Sequence, residues 1–364
     1  MSKTVVVNFV AKHSYTFVLE MIAGLSRNNC KIFAIVSRNM PEINNWRELK
    51  DIELYEVDGY TNAISFPFKI LKFFLYDSAK IKSKIQKARA TVIYIPIISY
   101  WSWFINHVCG NMPFVYAMHD PVVHDSNKIF IKTMNDWLAA NAKTVVILSD
   151  VFREYVRKNY KKTDKEIITI PSGNESIQTT KGRIEIVHYD NNKVNFLFQG
   201  QIAKYKGLDI LAEAYMKLRK KYSNITLTVA GSGDFREYEG TYNRLCDCTV
   251  INRWLDAEEV TGLFNDKSVI TVLPYLSATQ SGVINVAMPN GSPIIATKCG
   301  GIMEQIVDNV TGYLIEPNNV EALYEKMEYV INHKEEWEFI RKNAYERMKS
   351  LDWDVLSGKL AEIL

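Results

Sequence analysis

The chain has 364 residues, more than one ordinary hydrophobic core accommodates, so it reads as two domains. Its make-up, 47% hydrophobic and 23% charged without low-complexity tracts, excludes a disordered or fibrous protein. With 44 basic and 41 acidic residues the net charge is +3, too small to argue for nucleic acid. The start, residues 1–9, is a strand-like run that lacks the apolar core and cleavage site of a secretory leader. No segment reaches the roughly 18 apolar residues of a membrane span. Five cysteines show no pairing framework, and Cys246 and Cys248 have no second Cys/His pair beside them. We therefore expect reduced thiols, no metal site and a cytoplasmic protein.

In chain order, strand-length apolar runs at 5–9, 31–36, 52–57, 90–95, 114–118 and 144–148 alternate with helix-length amphipathic segments. That alternation predicts a parallel sheet with helices on both faces. Between 66 and 89, apolar residues (Phe66, Phe68, Ile70, Leu71, Phe73, Phe74, Leu75) sit beside Lys69, Lys72, Lys80, Lys82, Lys84, Lys87 and Arg89. This segment reads either as a surface that docks on an anionic membrane or as a core helix followed by a solvated basic one. The pattern breaks in the polar stretch from Gly173 to Lys193. A second series of strands then follows at 195–198, 226–230, 249–252, 269–273, 294–297 and 313–315. The expected division is residues 1–175, residues 176–350, and a C-terminal helix in 351–364 that is a candidate for crossing back to the first domain.

Open α/β sheets bind ligands outside the carboxyl ends of their strands, so with two such domains the central cleft is the expected site. The most informative loop runs from Ser277 to Met288, between a predicted strand and a predicted helix. Its helix start would present backbone N–H groups and a positive dipole end to a diphosphate. Thr279, Gln280 and Ser281 add side-chain donors, and Gly282 allows close approach. The plain alternative is a helix start capped by Thr279 or Ser281. Gly200-Gln201-Ile202-Ala203-Lys204-Tyr205-Lys206-Gly207 also follows a strand, and Lys206 could hold a phosphate oxygen. It is neither a Walker loop nor a dinucleotide fingerprint, which disfavours a dehydrogenase. Gly231 and Gly233 permit a tight turn near a ligand. Arg253, Trp254 and Leu255 end another strand where a base could be read, unless Trp254 is simply buried. In the first domain His119, Asp120 and His124 lie just past a strand, where a histidine can bond a sugar or act as a base. His13, past the first strand, faces the same cleft by the same rule.

Together these loops resemble the family 4 glycosyltransferases, retaining enzymes of the GT-B fold. Residues 200–207 resemble the family's Gly-Arg-Leu-x-x-x-Lys-Gly, and 227–234 its Leu-x-Ile-x-Gly-x-Gly. Residues 285–293 resemble Glu-Ala-Met-x-x-Gly-x-Pro, and 296–304 Ala-Thr-x-x-Gly-Gly-x-x-Glu. His119-Asp120-Pro121 resembles a strand-end triplet of members acting on cell-surface polysaccharides, and 170–174 the Ile-Pro-x-Gly of the domain junction. The resemblance implies two Rossmann-like doubly wound domains facing a central cleft, with a nucleotide-sugar donor in the second and the acceptor in the first. It implies no metal or cofactor, with Lys206 on the diphosphate, 279–282 cradling phosphate and sugar, His119 on the transferred sugar, and 253–255 near the base. Three departures stand out. Gln201 replaces the family's phosphate-contacting Arg, Val286 its ribose-binding Glu, and Ser277 or Ala278 the other Glu. The expected activity is sugar transfer to a lipid-linked or oligosaccharide acceptor in surface-polysaccharide synthesis, at the inner face of the cell membrane. The alternative is a catalytically silent relative serving as a nucleotide-binding or scaffold subunit.

Overall fold

Thr4–Phe9 carries three consecutive valines, and all six of its residues are buried. A strand covered on both faces is what a parallel sheet with helices on either side requires. In the computed structural model, which describes residues 3–11, 16–41, 43–59, 65–121, 129–174, 187–190, 192–264 and 266–364, this run is β1. It is followed by β2 (Lys31–Ser37), β3 (Ile52–Val57), β4 (Val92–Ile95), β5 (Phe114–Met118), β6 (Thr144–Ile147) and β7 (Ile167–Thr169). Every pairing is parallel, in the order β3-β2-β1-β4-β5-β6-β7. The second sheet holds β8 (Val194–Gln199), β9 (Ile225–Gly231), β10 (Cys248–Asn252), β11 (Val269–Leu273), β12 (Ile294–Thr297) and β13 (Tyr313–Ile315). It is also parallel, in the order β10-β9-β8-β11-β12-β13.

The chain divides into two compact units, Met1–Pro171 with Asp352–Leu364, and Ser172–Leu351. Each has its own apolar core. The joints thus fall at 171/172 and 351/352, and much of the polar stretch read as a linker lies outside the described residues. The last helix, Trp353–Ile363, packs on the Thr16–Arg27 helix of the first unit. Gly24 makes this approach possible, because a Cβ there would lie 2.4 Å from Ser357 Oγ. Asn28 Nδ2 donates to Ser357 Oγ (2.9 Å) and Asp354 O (3.0 Å), and Lys3 Nζ to Ala361 O (2.9 Å).

Two features differ from expectation. Strand β7 is absent from the sequence reading because three residues before Ile170-Pro171 carry no periodicity. It exists through its ladder to β6 and through Arg153, which donates to Ile167 O (2.8 Å) and Thr169 Oγ1 (3.1 Å). The 66–89 segment is one helical run, Phe66–Lys72, a π turn at Phe73–Asp77, then Ser78–Ala88. Phe73 turns inward against Trp101 (centroids 5.2 Å apart), whereas Phe68 is 72% exposed and Leu71, Leu75 and Tyr76 are also exposed. With Phe66 and Ile70 partly buried against the core, its first half packs on the core by one face instead of being wholly buried in it. No helix among the described residues is long and apolar enough to cross a membrane.

Candidate functional site

In the second sheet the strand order reverses direction between β8 and β11. A crevice outside the carboxyl ends of two such strands is where α/β sheets bind ligands. The loops leaving that point are those of residues 200–207 and 274–282, and Tyr275 ties them together. It is fully buried, its ring lies 3.6 Å from Lys206 Nζ, and its hydroxyl is 3.5 Å from Ser281 Oγ. Leu276 N–H donates to Tyr205 O (2.8 Å), joining the loops by their backbones. Lys206, at the end of the Lys204–Lys206 turn, is half-buried, so its ammonium is held on an aromatic face rather than free in water. Burial pushes the Cys299 thiol up, while the Thr297 hydroxyl and the Lys206 charge act in the opposite sense.

The glycines set how closely the loops pass. A Cβ on Gly231 (φ +151°) would lie 1.8 Å from Gly200 O, and one on Gly207 (φ +69°) 2.0 Å from Pro274 O. By contrast, a Cβ on the exposed Gly282 would meet nothing within 4 Å. The backbone at this helix start, Gly282–Ala287, is thus open to a ligand. The N–H groups of Gly282 and Val283 belong to a first turn, which has no acceptor within its own helix.

Some expectations for this loop need correction. Ser281 is the N-cap residue but makes no side-chain cap bond, so the plain capped-helix reading does not describe it. Its own N–H is already used, because it donates to Gln305 Oε1 (2.8 Å). Gln305 Nε2 returns bonds to Ser281 O (3.1 Å) and Asn285 Oδ1 (3.2 Å). Gln280 Oε1 accepts from Ser172 N–H (3.2 Å), and Asn285 Nδ2 donates to Ser172 O (3.3 Å). Thr279 is buried, and its carbonyl accepts from Gly301 N–H. Val286, at the place of the family Glu, is buried in the core.

Elsewhere in the second unit Gln201 is exposed, and Gly233 N–H donates to Asn252 Oδ1 (3.3 Å). Arg253 is committed to Glu259 (2.5 and 3.0 Å), whose carboxylate also caps the Ala257–Gly262 helix. Leu255 is buried, but Trp254 is 75% exposed, so the buried-Trp reading is wrong. In the first unit His119 ends β5. Its Nε2–H donates to Pro96 O (2.9 Å), just past β4, and its ring packs 4.7 Å from that of Phe17. Burial lowers the imidazole below its ordinary value, against the opposing Asp120 charge and the Pro96 bond. A neutral ring donating from Nε2 leaves Nδ1 as an acceptor. Asp120 is exposed beside it, while His13 and His124 lie outside the described residues. Among the described residues no group of three or more His, Cys, Asp or Glu could hold a metal ion. Tyr275 and Gln305 were missed by sequence reasoning. An aromatic immediately after a strand, inside the loop that carries the polar residues, was the available signal for Tyr275.

Residues 183–347 match the family model for glycosyl transferases group 1. The chain is similar to an uncharacterized glycosyltransferase of Haemophilus influenzae, with 24% identity over 62% of each chain, less than two thirds of that protein. It is also similar to the uncharacterized glycosyltransferase MJ1607 of Methanocaldococcus jannaschii, 22% identical over 93% of this chain and 90% of that one. Among solved structures, Anabaena Alr3699/HepE in complex with UDP superposes with a TM-score of 0.70 over 99% of both chains, at 16% identity, a likeness of fold. With its two parallel Rossmann-like sheets the chain has the GT-B fold, and its residues 183–347 form a group 1 glycosyl transferase domain.

Proposed function

We propose that the chain moves a sugar from a nucleotide-sugar donor to a sugar hydroxyl, with retention of configuration and without a metal. The observation that carries this reading is the Lys206 ammonium held on Tyr275 beside the open helix start at Gly282. A cation and first-turn N–H groups that have no acceptor within their own helix together suit a leaving diphosphate. In the transfer, the bond from the anomeric carbon to the diphosphate breaks and a bond to the acceptor oxygen forms on the same face. The acceptor proton passes to the departing phosphate oxygen. The UDP bound by the structurally similar Anabaena protein supports a nucleotide diphosphate as the leaving group. In the first unit, His119 accepts a hydrogen bond from a sugar hydroxyl at Nδ1, and Asp120 lies on the acceptor side. Trp254, being exposed at the end of β10, takes the base by stacking, whereas Arg253 serves the backbone around it.

The acceptor in this reading is a lipid-linked saccharide of a surface polysaccharide. Exposed Phe68, Leu71, Leu75 and Tyr76, with Lys80, Lys82 and Lys87 on the same helical run, bring the first unit to an anionic membrane. The direct test is thermal shift against UDP, GDP, dTDP and CMP, followed by Lys206→Met. A ligand at about a hundred times its dissociation constant stabilises by roughly 2.7 kcal/mol. Loss of the Lys206 contact should weaken the responding nucleotide by about 1.5–3 kcal/mol. Equal binding by wild type and Lys206→Met would sink the assignment.

A further inference from the structure

A cavity of about 440 Å³ opens at the opposite end of β5 from His119. Its floor is Pro113 and Phe114, where the strand begins. Five residues at about 3.3 Å each put it roughly 16 Å along the strand from His119. It is therefore separate from the ends of the strands where the donor and acceptor are expected.

Two indoles form its walls. Trp103, on the Ser102–Cys109 helix, stacks on His107 one turn on, with centroids 5.7 Å apart and planes at 16°. Trp137, on the Ile129–Asn141 helix, stacks on Phe114 at 6.2 Å and 14°. Each indole is thus stacked on a neighbouring ring of the lining, yet they remain 43% and 39% exposed. The polar side chains of the lining are the exposed amides Asn111 and Asn141, the buried Asn106 and the His107 imidazole, and no lysine, arginine or carboxylate lines the cavity.

This chemistry selects its ligand. Without a lysine or arginine, and with the His107 ring stacked on Trp103, the cavity is poorly made for a phosphate or an acidic peptide. A flat indole presents an electron-rich face that suits the weakly positive C–H face of a pyranose. Amides at the rim can both donate to and accept from ring hydroxyls. The volume falls in the range of small-molecule sites. We infer that this cavity is a second carbohydrate site, distinct from the transfer site, that holds a neutral oligosaccharide between Trp103 and Trp137. It gives the enzyme a hold on a glycan chain while its reacting end is elsewhere, whichever donor the second unit uses.

The test uses the full chain with its seven tryptophans replaced biosynthetically by 5-fluorotryptophan. The probes are tetrasaccharides of glucose, galactose, mannose and N-acetylglucosamine, each added to 10 mM and followed by fluorine NMR. The expected result is saturable movement of the Trp103 and Trp137 resonances with at least one probe, while that of Trp254 stays fixed. Trp103→Ala or Trp137→Ala should weaken that probe tenfold or more and leave nucleotide binding unchanged. If either variant fails to fold, Asn111→Ala and Asn141→Ala, both at exposed positions, should each weaken it several-fold. The inference is overturned if neither resonance moves with any probe. It is equally overturned if they move only with protein concentration, which would mark the cavity as a contact between copies. Failure of the nucleotide assay with a positive result here would separate the two proposals.

Discussion

Gln305→Leu tests whether one buried amide holds the loop that ends at Ser281. The substitution keeps an apolar side chain of similar size but removes every hydrogen bond the amide makes. The Ser281 N–H, Ser281 carbonyl and Asn285 Oδ1 then lose their Gln305 partners at 2.8, 3.1 and 3.2 Å. All three groups belong to buried residues, so water does not readily replace the amide. An unpaired buried donor costs about 1–3 kcal/mol, and acceptors with a second lone pair less. Together they give about 3 kcal/mol. For a unit the size of Ser172–Leu351 that corresponds to a fall in Tm of roughly 6–12 °C. Chemical denaturation measures the energy, and nucleotide-sugar KM against kcat measures the loop. We expect KM to rise because the N–H groups of Gly282 and Val283 lose their fixed direction. Gln305→Glu retains an acceptor for Ser281 N–H and should lie between wild type and Leu in stability. A loss under about 1 kcal/mol with KM unchanged would refute the reasoning.

Three further outcomes separate fold from function. Gly231→Ala should destabilise the second unit by more than about 2 kcal/mol, since its Cβ meets Gly200 O at 1.8 Å, whereas Gly282→Ala should change stability by less than about 1 kcal/mol yet weaken nucleotide binding. Urea melts with and without nucleotide distinguish the two. Burial lowers the folded-state pKa of His119 below 6.5, so below that pH the unfolded chain takes up a proton that the folded chain does not. Stability should therefore fall as pH drops from about 6.5 through the lower folded value, and His119→Gln should flatten that part of a pH-dependent melt. Leu360→Ala removes a fully buried side chain from the returning helix and should destabilise the first unit by about 2–5 kcal/mol, seen as one calorimetric transition shifting while that of the second unit stays in place.

The strands were legible because their runs are apolar and buried on both faces. Residues 114–118 and 269–273 match β5 and β11 end to end. β7 was not, because its three residues depend on a ladder and an arginine supplied from elsewhere. The loops at the switch point were legible from their glycines and their place after strands. What they touch was not. Gln305 lies 24 residues from Ser281, and no local spacing brings an amide to that N–H. Nor could composition show that Trp254 is exposed or that Arg253 is spoken for by Glu259, since both depend on the turn around them.

The helix that closes the first unit is made only after the whole of the second unit. Its partner helix, Thr16–Arg27, emerges from the ribosome before the second unit. At about 5–20 residues per second, the intervening second unit delays its arrival by roughly 10–40 s. During that wait the groove around Gly24, shaped for Ser357 and its neighbours, has no occupant. The second unit carries no such debt and can fold as soon as residue 351 is free. The order of maturation in the cell is thus the reverse of the order of synthesis, and the nascent first unit is the stage at which a chaperone would have most to bind.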